Sequence, residues 1–322
     1  RRSSDLSPVM FVNFIIALNC VTPMFLTLCV GILLRASKIV PEEAFHHLSQ
    51  ISFHAFLPCL MFSNLYSADL SGTGHTSIFV YLLAWVVVWF LLCTAVCNKL
   101  EPDLRRRGAY IQSGYRTNIA VVGVSLAQSM MGSNGVALMS MAVGLVVPTY
   151  NTLAVITLES CRGRRADPVH IVKSILRNPL IIGCALGGLC LGLHIPLPGS
   201  VVKAVSSVGN AGSVTTLVAL GASLKLGGMR HNLAAIVRCS VVRLVLAPLC
   251  ALVPAILLGF RGDALGVVLV CIASPVASTA YPMALAYDSD HEFTAQMVVT
   301  TSLICTLTLF LWIFALKQLG LV

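Results

Sequence analysis

Apolar residues run along this chain in long blocks, and ten of the blocks lie near the ~20 residues that one helical crossing of a hydrocarbon core needs. They cover 11–34, 48–66, 76–97, 110–131, 135–158, 179–195, 208–224, 234–259, 264–286 and 293–316. The polar stretches between them are short. The pattern therefore predicts an all-α integral membrane protein in which the spans themselves do the work, with no soluble domain for separate chemistry.

Composition agrees: the 322 residues are 57% hydrophobic and 10% charged, with a mean hydropathy of +0.90, outside the balance of a soluble domain. A net charge of +9 would suit nucleic acid if it were clustered, but its distribution follows the loops. Taking alternate loops, thirteen Lys and Arg fall on one side and five on the other. Short basic loops stay in the cytoplasm, so both termini are expected outside and no nucleic-acid partner is expected. Arg1 and Arg2 on the outer side, and the acidic stretch Asp288 to Glu292 on the inner side, run against this pattern.

Twelve cysteines lie almost entirely inside apolar runs, where they read as small packing residues. Cys93 and Cys97 have no nearby histidine or carboxylate, so neither a metal nor another cofactor is expected. The first apolar run is too long for a cleavable signal.

The chain also resembles itself. Pro23 to Gly31 (PMFLTLCVG) matches Pro179 to Gly187 (PLIIGCALG), each followed by a proline-containing link at Pro41 and Pro198. Five spans per half is an odd number, which gives the halves opposite orientations. Inverted repeats of this kind belong to transporters and often contain helices broken at mid-membrane. The corresponding segments are the fourth and ninth spans. In the ninth, ASPVASTAYPMA, Pro275 and Pro282 flank Ser278, Thr279 and Tyr281, with Ser274 just ahead. Two readings stand, an ordinary kink or a functional break. The fourth span has no proline, so its discontinuity is expected at Gly123 and Ser125, with Asn118 bonding to exposed backbone.

None of the twelve carboxylates lies at the centre of a span, which argues against a proton or sodium site built on Asp or Glu. The coupling ion is left open. Two cations do lie within spans, Arg116 in the fourth and Arg243 in the eighth. Each either snorkels to the headgroups or faces a cavity, where carbonyls, water or an anionic ligand must serve as partner. As a counter-ion, a guanidinium would hold a carboxylate in a planar fork, and two inward arginines would favour a dicarboxylate such as malate. Asn151, after Pro148, either completes this site from the fifth span or bonds for packing alone. His54 reads as a core or interface histidine, and Trp85, Trp89 and Trp312 as lipid-facing or belt aromatics. No paired intramembrane aspartates, Asp-rich metal motif or serine dyad is present, so an enzyme is not expected.

The segments VTPMFLTLCVGILLR, FHAFLPCLMFSNLYSADL, YRTNIAVVGVSLAQSMMG, VVPTYNTLAVITLE, RNPLIIGCALGGL and ASPVASTAYPMALAY together resemble the auxin efflux carrier family, most closely its bacterial, malate permease-like branch. The resemblance spans nearly the whole chain. It implies a fold similar to bile-acid/sodium symporters: ten transmembrane helices as two inverted five-helix repeats, 1–158 and 179–322, joined by a basic cytoplasmic linker, 159–178. It also implies that helices 4 and 9 cross at broken midpoints beside the substrate, Asn118 and the Ser274 to Tyr281 segment matching the two crossing positions. Helices 1, 2, 6 and 7 would form a scaffold pairing in a homodimer, and helices 3–5 and 8–10 a transport domain moving like an elevator. Ser125 stands where many members carry the crossing proline, and Pro282 lies two residues beyond the second one. The expectation is a secondary carrier of a small organic anion, such as malate or an auxin-like acid, in a bacterial inner membrane. A cation-coupled symporter of another solute, or an anion channel or receptor, is the alternative.

Overall fold

The computed structural model describes residues 6–68, 76–162, 168–224 and 226–322. The topology charges Arg1, Arg2, Arg164, Arg165 and Lys225 lie outside the described residues. The described chain is helical apart from its links and one isolated bridge.

Each hydrophobic block carries helix, and local chemistry explains where each helix changes. Helix α1 spans Leu6–Ala36. Helices α2 (Glu42–Ile51) and α3 (Leu57–Tyr66) are one rod joined by a π-turn, Ser52–Phe56. Pro58 cannot donate to the carbonyl four residues back, and the rod widens just before it. The same device recurs at Val242–Leu246, between α10 (Leu226–Val241) and α11 (Ala247–Leu257), ahead of Pro248.

Helix α4 spans Thr76–Leu100, and α5 (Leu104–Tyr115) starts at Asp103, whose carboxylate accepts from the Arg105 N–H at 2.9 Å, an ordinary acidic cap. Helix α6 (Val124–Ser160) is divided at Gly132, which takes φ 67° and ψ −151°, a conformation open to glycine. The division falls where the fourth and fifth blocks of the sequence separate. The short α7 (Pro168–Arg177) bends by 66° into α8 (Pro179–Gly192) at Asn178, which caps α8 through the N–H groups of Leu180 and Ile181. Then come α9 (Gly199–Ser223), α12 (Gly262–Ala273), α13 (Ala280–Ala286) and α14 (His291–Gln318).

Among the described residues, four helical stretches are long and apolar enough to cross a membrane: Thr76–Leu100, Ile119–Ser160 with its kink at Gly132, Gly228–Leu257 and His291–Gln318. The bent pair Val169–Arg177 and Pro179–Gly192 makes a fifth if counted as one span. The sequence pattern shows more blocks than this because several are interrupted, as at Gly262–Ala273, a shorter apolar helix.

Two expectations about the interruptions are corrected. The fourth block does not open at Gly123 and Ser125. Gly123, at φ −60° and ψ −52°, is the last residue of a π-turn, Ile119–Gly123; the chain leaves the helix earlier, at Arg116 to Asn118, and the Asn118 side chain bonds to Met24 and Ser278 instead of exposed backbone. In the ninth block the chain leaves the helix after Ala273, where Ser274 is extended (φ −63°, ψ 152°) ahead of Pro275, as the residue before a proline prefers. Pro282 breaks nothing. It sits in the first turn of α13, where a missing N–H has no helical acceptor to lose.

The core is centred on α12, whose residues Leu265 to Ala273 are all buried, the signature of a helix surrounded on every side. Helices α1 and α9 meet through glycines: a Cβ on Gly31 would strike the Val218 carbonyl, and one on Gly221 the Leu28 carbonyl. Small residues of this kind let apolar helices approach closely. The basic loops gather at one end. Arg35 pairs with Glu42 and donates to the Leu224 carbonyl, Arg105 pairs with Asp288 and Arg106 with Asp290, and Asn178 donates to the Tyr287 hydroxyl. The acidic loop that ran against the charge pattern is thus neutralised by arginines at its own end. Elsewhere Tyr66 binds the backbone at Ile195 and Leu197, and Gly262 donates to Leu321.

Replacing Gly31 or Gly221 with leucine should lower the melting temperature of the detergent-solubilised protein, since overpacking costs ~1–3 kcal/mol or more. An unchanged melting curve for both would refute this packing.

Candidate functional site

The two breaks face each other. Thr117 and Val276 form an antiparallel bridge, and the Asn118 N–H donates to the Pro275 carbonyl at 2.9 Å. Breaking a helix in an apolar interior frees backbone groups that water cannot reach, so each must find a partner. The Val276 N–H finds the Thr301 hydroxyl of α14 at 3.1 Å. The carbonyls of Ile272 and Ser274, at the end of α12, accept from Arg243. The Gly114 carbonyl, at the end of α5, accepts from the Trp89 indole at 3.0 Å. Each break therefore has a donor reaching its terminal carbonyls from a neighbouring helix, Trp89 from α4 and Arg243 from the turn after α10. For Arg243 the positive charge also complements the C-terminal end of the helix dipole.

Arg116 occupies the first break. It is 1% exposed, which rules out snorkelling. Its guanidinium donates to Gln112 Oε1 (3.2 Å), Met283 Sδ (3.1 Å), Asn151 Oδ1 (2.9 Å) and Thr279 Oγ1 (3.0 Å). Its Nε has no partner, and neither does the amide nitrogen of Gln112. No carboxylate pairs with it among the described residues. A buried cation is thus held by neutral acceptors alone, with a donor to spare.

Other donors at this place rest on sulfur. Asn118 Nδ2 donates to Met24 Sδ at 3.1 Å and Asn151 Nδ2 to Met61 Sδ at 3.2 Å. Thioethers are weak acceptors on flexible stems, so these amides and the guanidinium are loosely committed. The cavity that Arg116, Asn118, Asn151, Ser278 and Thr279 line, closed over by Leu57, Leu60 and Met61, is about 20 Å³. That is room for about one water. Ser278 donates to Asn118 Oδ1 at 3.4 Å, and Thr117 to the Tyr150 hydroxyl at 3.3 Å.

Four of the residues expected at the site stand elsewhere. Ser125 is exposed, beyond the break. Ser274 turns its hydroxyl back to the Val270 carbonyl at 2.6 Å. Tyr281 donates to Ser223 of α9, beside a different cavity with Arg35 and Glu42. Arg243 is 1% exposed and does not line the cavity; one terminal nitrogen donates to carbonyls of the second break, and its Nε has no partner. The pairing of two inward arginines with a dicarboxylate therefore lacks its second member.

Gln112, Thr117 and the three methionines escaped the sequence reading. Gln112 was discoverable, four residues before Arg116 on one helix face; the methionines come from distant elements and left no local signal. Trp89 and Trp312 were read as belt aromatics, and both donate to backbone carbonyls, Trp312 to Leu244 at 3.0 Å. His54 is exposed at its π-turn and is not a core residue.

The profile of the family described as membrane transport protein matches residues 16–313. A protein of Methanothermobacter thermautotrophicus, described as an uncharacterized transporter, is 23% identical over 290 residues, covering 88% of this chain and 92% of its own length.

Arg243→Gln would leave the carbonyls at the end of α12 short of donors, and should cost ~1–3 kcal/mol and lower the melting temperature in detergent. Arg243→Lys should recover part of the loss. Equal stability of all three proteins would remove the capping role.

Proposed function

We propose, from the premise that this chain belongs to the auxin efflux carrier family of membrane transport proteins, that it carries a small organic anion by alternating access, with Arg116 as the counter-ion of its carboxylate. The observation that carries this reading is the buried guanidinium with neutral partners and an unused Nε. A permanent charge at such depth costs ~2.5–3.5 kcal/mol even on insertion scales, and a carboxylate would compensate it by bidentate pairing. The thioether contacts of Asn118, Asn151 and Arg116 are those an anion would displace.

With Arg243 committed to carbonyls, one guanidinium answers one carboxylate. The site favours a monocarboxylate, such as an auxin-like acid, over malate. The small cavity fits a conformation closed around the site, which a substrate would enter only after helix movement.

The same reading includes ten crossings in two inverted halves. It is supported by the clustering of the basic loops at one end, and by Trp89 and Arg243, which serve the two breaks at nearly the sequence offset that aligns the halves. A scaffold of α1–α3, α8 and α9 is supported by their close glycine-mediated packing. Its contacts with the crossing include Met24 and Met61, soft surfaces suited to elevator-like sliding. In this reading the basic end is cytoplasmic, the membrane is a bacterial inner membrane, both termini are outside, and the scaffold pairs two copies.

Arg116→Gln should abolish saturable counterflow of labelled monocarboxylates in proteoliposomes and lower affinity by at least about tenfold, given the ~2–5 kcal/mol measured for such pairs. Arg116→Lys, which keeps the charge but loses the fork, should fall between. Wild-type counterflow in the glutamine variant, with its folding verified by melting temperature, would overturn the proposal.

A further inference from the structure

At the end where the basic loops gather lies a second and larger cavity, of about 490 Å³, between α2 with its π-turn, α7, the start of α8 and α13. Helix α13 separates it from the crossing: Met283 touches Arg116, while Pro282 and Leu285 line the larger cavity. None of its lining residues is acidic. Lys173 and Arg177, one turn apart on α7, line it and have no ion-pair partner among the described residues. Arg162 and His170 share one carboxylate, Glu159, behind the wall.

One neutral donor adds to the cations. Ser49 is fully buried, lines the cavity, and has a hydroxyl with no partner. The N-terminus of the 14-residue α8 lies at the wall, but Asn178 already takes its Leu180 and Ile181 N–H groups and Pro179 has none, so it contributes the positive end of its dipole and no hydrogen bond. A lysine point charge, a guanidinium fork and a hydroxyl together match a group with several oxyanion oxygens, which is phosphate more than carboxylate.

The level of the cavity indicates where such a group comes from. Helix α7 exposes Val169, Val172 and Leu176, at 74%, 53% and 68%, while Lys173 and Arg177 lie among the residues that line the cavity. A short helix with an apolar row and a basic row lies in the plane of a membrane surface, and the 66° bend into α8 fits that placement. The basic row then sits at the depth of lipid phosphates.

We propose that this cavity is a second anion site, independent of Arg116, which receives the phosphate of an anionic phospholipid headgroup. Free phosphate shares the chemistry. An occupant would tie α7, which leads from the end of α6 into α8, to α2 and α13.

The test compares the full chain in nanodiscs of phosphatidylcholine alone and with phosphatidylglycerol, and in phosphatidylcholine titrated with inorganic phosphate. Melting temperature and bound lipid by native mass spectrometry are read in each. Phosphatidylglycerol should raise the melting temperature by ~2 °C or more and remain bound. The increment should vanish in Lys173→Gln/Arg177→Gln and persist in Arg116→Gln, which separates this site from the transport site. A rise with phosphatidylglycerol alone assigns the site to the headgroup, and a rise with inorganic phosphate as well assigns it to the oxyanion from either source. No rise with either, or a rise that survives the double variant, overturns the proposal. Should the double variant not fold, the single variants Lys173→Gln and Arg177→Gln serve, each expected to reduce the increment.

Discussion

The structure depends on one constraint: two helices are interrupted where water cannot satisfy their backbone, so the interruptions must satisfy each other. The Asn118 N–H to Pro275 carbonyl bond and the Thr117 to Val276 bridge join the two breaks. Trp89, Arg243, Thr301 and Cys305 take up further groups at the two breaks. Neither break would be tolerated alone in an apolar interior. Together they place polar side chains from two breaks and from α6 around one small space.

Within that frame two arginines of equal burial have opposite fates. Arg243 meets carbonyls whose dipoles point at it, and its charge becomes part of the scaffold of the break. Arg116 meets amides, a hydroxyl and a thioether, none carrying a full negative charge. Both keep a buried Nε without a partner, and only Arg116 lines the small cavity.

The surroundings of the crossing are graded in a consistent way. Methionine sulfur lies against it from α1, α3 and α13. Glycine lies between α1 and α9, where the two backbones approach closely. At the basic end, arginines neutralise the acidic loop after α13, while the face formed by α2, α7 and α8 keeps uncompensated cations.

The sequence by itself determined the helical blocks, the basic end, and the break at Pro275, because hydrophobic length, loop charge and a missing N–H are local properties. It also marked Arg116, Asn118, Asn151, Ser278 and Thr279, since polar groups inside apolar runs need a reason. Tertiary structure alone decided that the fourth block opens at Arg116 to Asn118, and that Pro282 merely begins a helix. It also decided that Arg243 serves carbonyls, and that Ser125, Ser274 and Tyr281 turn away from the cavity. The physical reason is that a helix without proline opens where a distant segment offers its backbone a better partner, and a buried side chain takes whichever acceptor the packing brings near. The Asn118 N–H meets Pro275 from the other end of the chain, and Arg243 and Tyr281 find acceptors on other elements, 29 to 58 positions away, which no local pattern in the chain encodes.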